Sequence, residues 1–184
     1  MNALLEKIWE EIESWDRHHR HPTLGLYLNS PASDDAVDEL NAMLENRLPD
    51  DFLYSLRRHD GTAAWTTEFF EGSLFNIKSI LRTLHATRGV AQDLLDAHTR
   101  NGAEESMTLS ANGPVKNVFW SPHWIPIHMT DWSKTCLDFD PAEGGDVGQI
   151  ISVNWQGNTV TVIARNYMEF LLLCADQLPD EPEE

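Results

Sequence analysis

The 184-residue sequence is short of positive charge. It has 13 Lys and Arg against 30 Asp and Glu, a formal net charge of -17. Nucleic acid and anionic membrane are therefore poor partners, because a phosphate-binding face needs clustered Lys and Arg. A basic partner is favoured, and the field would speed its encounter. The plainer reading is an acidity that only keeps the chain soluble. The two cysteines, Cys136 and Cys174, both fall in apolar segments, so buried reduced thiols are expected and a structural disulfide is not. No apolar run approaches the roughly 18 residues of a membrane-spanning helix. The opening residues 1–7 lack a signal-peptide core. Together these place the chain in the cytoplasm. No internal repeat is present, and no nucleophile elbow surrounds any Ser.

What the sequence does have is concentrated between Trp120 and Ala164. Four short apolar runs, Trp124–Ile127, Thr135–Phe139, Gln149–Val153 and Val160–Ala164, are separated by polar turns marked with Gly or Pro. The links are too short for crossover helices, so sequential antiparallel strands are predicted. Residues 154–158 close the last hairpin, with Gly157 expected to take the positive φ.

Helices are predicted on either side of this sheet. Leu4, Leu5, Ile8, Ile12 and Trp15 form an apolar stripe over residues 2–17. Pro22 disfavours helix at His21. Leu24–Leu28 suits an edge strand or a packed loop. Ser33 caps a second helix with buried face Val37, Leu40, Met43 and Leu44. Pro49 opens a third, with Phe52, Leu53 and Leu56 inward, and Gly61 is its expected left-handed cap. Trp65–Phe70 is β-prone. Asn76 caps a fourth helix with face Ile77, Ile80, Leu81 and Leu84, and its continuation through Gly89 is left open. Residues 101–114 read as a long polar loop. Asn166 caps a last, largely buried helix, with Glu169 in capping-box register and Pro179 at its end.

Three constellations could carry chemistry. His18, His19 and His21 invite a metal, but they are crowded at a helix end, where solvated histidines are ordinary. Asp138-Phe139-Asp140 places two carboxylates on one side of a strand. A calcium loop counted from Asp138 fails at positions five, six and twelve, which are Ala142, Glu143 and Gln149. An acid–base pair would need two different environments. Gly144-Gly145 precedes no helix, which disfavours phosphate cradling. A metal-dependent enzyme would have to draw on His123, His128 and the two aspartates. The third feature is seven tryptophans, too many to be core alone. Trp124 is expected in the core, whereas Trp132, in a polar turn between Asp131 and Ser133, is expected partly exposed as an anchor for a partner.

Leu28 to Ser33, the run Leu44 to Phe52, His59-Asp60-Gly61, Trp124 to Ile127, Cys136 to Pro141, Gly144-Gly145, Gly148 to Ile151, Val162 to Ala164 and Phe170-Leu171 resemble, in order and spacing, the SMI1/KNR4 family of the SUKH superfamily. The resemblance covers about residues 28–175. It implies an α+β fold with a central antiparallel sheet and helices packed at its N-terminal and C-terminal sides. One domain over residues 1–179 follows, with 180–184 an acidic tail. It also implies binding rather than catalysis. Bacterial members are largely immunity proteins against toxins, often nucleases, and fungal members regulate cell-wall synthesis and carry long disordered tails. The compact chain fits the bacterial type. Two positions depart from the pattern: Asp60 stands where Asn is frequent, and Asp131-Trp132-Ser133-Lys134 replaces a Gly- and Asn-rich turn. The expected function is that of a cytoplasmic immunity protein that binds a cognate toxin with a basic surface. The alternative is a regulatory scaffold for an endogenous partner. The expected contact surface is Asp131, Trp132, Asp138, Asp140, Glu143 and Asp146, with no catalytic residue, metal or cofactor.

Overall fold

The computed structural model describes residues 3–18, 28–63, 72–87, 109–118 and 120–178. Their order is α1 (Ala3–His18), α2 (Asp34–Met43), α3 (Asp50–Arg58), β1 (Gly72–Leu74), α4 (residues 77–87), β2 (Ser110–Asn112), β3 (Trp124–Thr130), β4 (Ser133–Asp138), β5 (Gln149–Asn154), β6 (Thr159–Ala164) and α5 (Tyr167–Asp176). This is an α+β fold. Among the described residues no helix is long and apolar enough to cross a membrane.

The sheet is ordered β1-β3-β4-β5-β6-β2. β3 to β6 pair antiparallel in sequence, as the short links require. β1 pairs only with His128–Thr130, which leaves Pro126 where its missing N–H costs no ladder bond on that side. β2 lies parallel to the far edge of β6. The sheet is therefore mixed, and residues 109–114 of the expected loop contribute an edge strand. Residues 101–108, Trp65–Phe70 and Gly89 lie outside the described residues, as do His19, His21, Leu24, Pro179 and the tail.

Both faces of the sheet are covered. On one face Ile125, Ile127, Leu137 and Ile150 join the helical core, where Ile8, Trp9, Ile12, Phe52, Leu56, Phe170 and Leu171 are buried. α5 packs on α1, α3 and the sheet. On the other face Trp124, Cys136, Ile151, Val153 and Val160 meet Leu109 and Val115. Cys136 and Cys174 are both free and sit in these separate clusters. Burial pushes the Cys136 thiol up to about 12 and raises Cys174 well above its usual range, so both are inert at neutral pH.

The helix caps follow the sequence. The Ser33 hydroxyl accepts from the Ala36 amide at 3.3 Å, Asn76 from Ser79 at 2.8 Å and Asn166 from Glu169 at 2.9 Å. The Glu169 carboxylate accepts from Arg165 N–H, one residue before the expected box partner. Pro49 sits immediately before the first turn of α3, near the first helical position as expected. α3 ends at extended His59, so Gly61 is not its immediate cap. Gly61 has φ +67°, and a Cβ there would meet Asn76 N at 2.6 Å and Leu74 O at 2.7 Å. Close backbone approach and conformation therefore both require glycine. In the last hairpin the positive φ falls on Asn158 at 48° rather than on Gly157. Asn tolerates that region, and Gly157 N–H instead donates to Asn154 Oδ1 at 2.7 Å. Two apolar stripes need correction. Leu4 is exposed and Trp9 takes its place in the core, and Met43 is exposed beside buried Val37 and Leu40.

Candidate functional site

The six expected surface residues do not form one patch. Asp131 and Trp132 form the two-residue turn between β3 and β4, because Met129 is in register with Lys134. Asp138 closes the other end of β4, and Asp140, Glu143 and Asp146 follow it. The strand between spans about 17 Å at roughly 3.3 Å per residue.

At the Asp138 end the acid is structural. Asp138 is 0% exposed. Its Oδ1 accepts from Trp124 Nε1 at 3.1 Å and from the Asp140 amide at 2.9 Å, and its Oδ2 accepts from Gln149 Nε2 at 3.0 Å. Gln149 Nε2 also donates to Pro114 O at 3.0 Å, and Gln149 Oε1 accepts from Asp146 N–H at 3.3 Å. The Asp138 carbonyl accepts from Gly148 N–H at 2.7 Å, where Gly148 holds φ +88°. A Cβ on Gly145 would lie 2.6 Å from Pro114 O and 2.7 Å from Pro141 Cβ. The run from Asp138 to Gln149 thus builds the β4–β5 connection around one buried carboxylate. Asp138 is removed from the contact surface, since burial leaves it nothing to offer a partner. Asp140 is half-buried and bonded to Lys116 Nζ at 2.5 Å, which holds its carboxyl below the usual range. Glu143 and Asp146 are exposed.

At the opposite end the side chains face water. Trp132 is 54% exposed, as expected, and Trp155, on the β5–β6 turn, is 39% exposed. The two turns are joined, since Trp155 N–H donates to Trp132 O at 3.2 Å. Thr130 Oγ1 fixes the first turn by accepting from Trp132 N–H at 3.1 Å and Ser133 N–H at 2.9 Å. Asp131 is exposed beside them. Trp155 was not among the expected contacts; its position in the polar turn 154–158 carries the same signal that marked Trp132. Trp124, in contrast, is core, as expected.

The remaining candidates resolve as structure. His18 is exposed at the end of α1, its Nδ1 donating to Ser14 O at 2.6 Å. His128 is buried, with Nδ1 3.3 Å from Thr135 Oγ1 and its ring edge-on to Phe170. Among the described residues no group of three or more His, Cys, Asp and Glu side chains could hold a metal ion. Asp60 accepts from the Ile77 amide at 2.8 Å and so caps α4, a task open to the oxygen of Asn as well. Burial raises its pKa, against the opposing pull of that amide.

The sequence gives no sign of a polar clamp between α1 and α3. Arg58 donates to Glu13 through Nε at 2.5 Å and Nη2 at 3.0 Å, and to Glu6 through Nη1 at 2.6 Å. Tyr54 hydroxyl donates to Glu6, and His59 Nε2 lies 2.9 Å from Glu13 Oε1. Hydrogen bonds from Arg58, then from His59, hold Glu13 at about 2 against the opposing effect of burial. The Trp9 ring lies tilted against His59, and its Nε1 donates to Ser55 Oγ at 2.9 Å.

Comparison with known proteins extends this picture. The model of the SMI1 / KNR4 family (SUKH-1) matches residues 31–173. The chain is 28% identical to the "Cell wall assembly regulator SMI1" of Saccharomyces cerevisiae, covering 92% of this chain and 39% of that protein. It is 25% identical to the "Glucan synthesis regulatory protein" of Neurospora crassa, covering 92% and 37%. It is 28% identical to the "Cell wall biosynthesis/cell cycle regulator smi1" of Schizosaccharomyces pombe, covering 91% and 34%. The chain thus spans less than two-fifths of the length of these relatives. The ordered match over residues 31–173, on the α+β frame just described, makes this chain a member of the SMI1 / KNR4 family.

Proposed function

We propose that this domain is a non-enzymatic protein-binding module that acts as a regulatory scaffold for an endogenous partner. The observation that carries the reading is kinship with proteins named as regulators of cell-wall assembly and glucan synthesis. The geometry supports it as well. The one pair of acids that suggested catalysis is divided, with Asp138 committed to three internal donors and Asp140 to Lys116. The contact surface is assigned to Asp131 and Trp132, and Asp140, Glu143 and Asp146 form a separate acidic edge outside it that adds to the attracting field. The test is affinity capture with the intact chain, followed by titration of the purified captured protein. A stoichiometric complex is expected, and a chain that instead turns over a substrate overturns the reading.

A second reading is neutralisation of a cognate toxin, a nuclease among the candidates. The net charge of -17 favours it, because a basic substrate groove is the natural counterpart. A toxic neighbouring gene product that this chain binds and inhibits, with association slowing as salt rises, supports that reading. A neighbour that neither binds nor is toxic removes it.

A further inference from the structure

Six large apolar side chains are exposed among the described residues: Leu4, Met43, Val118, Trp132, Val147 and Trp155. Only the two tryptophans are tied to each other, through the backbone bond between their turns. Their frame is also fixed in advance. Thr130 Oγ1 holds the first turn, Asn154 Oδ1 holds the second through the Gly157 amide, and Ser133 and Asn154 are paired in the ladder directly beneath. Two indoles on adjacent hydrogen-bonded turns thus remain 54% and 39% exposed. A rigid aromatic surface of this kind loses little freedom on binding.

Charge indicates the occupant. Asp131 lies in the first turn, no base stands in either turn, and the nearest along the chain, Lys134, is set back within β4. The chain as a whole carries -17. An indole face attracts a cation through its ring quadrupole, and Arg is the side chain that most often takes this place. We infer that Trp132, Trp155 and Asp131 form a docking site for an Arg- or Lys-bearing segment of a protein partner, the cationic groups stacking on the indoles and Asp131 supplying the countercharge. The inference rests on the protein-binding reading above and names the end of the sheet that does the binding. The acids at the Asp138 end then contribute long-range attraction rather than contact.

The test is a titration of the full chain with a short labelled peptide of alternating Arg and Gly. The same peptide with Glu in place of Arg, and a neutral β-glucan oligosaccharide, are titrated alongside. The Arg peptide binds, more weakly as salt rises, and the other two do not. Trp132→Ala and Trp155→Ala each weaken it about two- to fivefold, and together about tenfold. Trp132→Leu weakens it nearly as much as Trp132→Ala, because leucine keeps apolar area but has no quadrupole. Glu143→Gln with Asp146→Asn, at the far end, changes it by less than about twofold. Unchanged circular dichroism and thermal midpoints establish that the variants fold. The inference is overturned by a wild type that ignores the Arg peptide, by a double tryptophan variant that binds like wild type, by a larger loss from the far-end pair, or by salt-independent binding of the glucan at the same indoles. A captured partner that the double tryptophan variant binds as tightly as wild type overturns this inference alone. A wild type that captures nothing overturns the protein-binding reading itself.

Discussion

The two ends of strand β4 carry the same kinds of residue in opposite roles. At one end Trp124 and Asp138 face each other across the β3–β4 ladder, buried, with the indole N–H donating to the carboxylate at 3.1 Å. At the other end Trp132 and Asp131 are exposed on the turn, and Trp155 stands beside them. The difference lies in what covers each end. Val115 and the Pro114 carbonyl lie with Trp124, Cys136 and Gln149 at the buried end, so an acid there must be fully hydrogen-bonded. At the other end the same segment meets the β5–β6 turn through its backbone, Ser110 N–H donating to Asn158 O at 2.8 Å, and Trp132 and Trp155 stay exposed. An acid and a tryptophan therefore build the fold where a segment covers them, and where they stay exposed they are open to the recognition role proposed above.

The largest effect is expected from breaking the covered end. Asp138→Ala strands three donors, Trp124 Nε1, Gln149 Nε2 and the Asp140 amide, at a cost of about 3–5 kcal/mol. Urea unfolding measures this, and a loss below about 1 kcal/mol would return Asp138 to the surface. Next is the clamp between α1 and α3. Glu13 sits at about 2 in the folded state against 4.5 as its ordinary value. A depressed carboxyl contributes stability that is present above about pH 4.5 and is lost as pH falls towards 2. Glu13→Gln therefore costs about 2 kcal/mol at pH 6, and the gap to wild type closes through that window. A gap that stays constant from pH 6 to pH 2 would contradict the Arg58–Glu13 pairing.

Gly145→Ala sharpens the comparison from the backbone side. The added methyl meets Pro114 O at 2.6 Å, and the connection must shift at a cost of about 1–3 kcal/mol. Gly144→Ala tests a different cause one residue away, because its Cβ has open space but its φ is +85°. Its cost is about 1 kcal/mol and is purely conformational. The smallest effect on stability belongs to the turns. Trp132→Ala and Trp155→Ala each change it by less than about 0.5 kcal/mol, as substitutions away from the core do.

The four central strands were legible because alternation and turn residues agree within each short segment, and Ser33, Asn76 and Asn166 announced their helices by the same local logic. What was hidden depends on distant partners. β2 is three small or polar residues, Ser110, Ala111 and Asn112, whose pairing with β6 is set some fifty positions away, so nothing local distinguishes it from loop. Arg58, Glu13 and Glu6 meet across sequence separations of 45 and 52 residues, and on their own helices they read as a solvated charged face. Asp138 shows the limit most clearly. Alternation says which face of the sheet a side chain takes, but whether that face is covered was decided by residues 109–115, whose polar composition suggested a loop. Trp132 is legible as exposed because a turn has no second layer to bury it. Trp155 meets the same condition in the turn 154–158, where the glycine is the more prominent signal.

The most direct measurement compares two variants in urea under one condition, Asp138→Asn and Trp132→Ala/Trp155→Ala. Asp138→Asn replaces one accepting oxygen with a donor amide that, in the place of Oδ2, faces the Gln149 donor. It is predicted to lower the midpoint by the equivalent of about 1–3 kcal/mol with the slope unchanged. The double tryptophan variant is predicted to remain within about 1 kcal/mol of wild type. The reverse order, with the turn indoles costing more than the buried acid, would contradict the division of the sheet into a folding end and a recognition end.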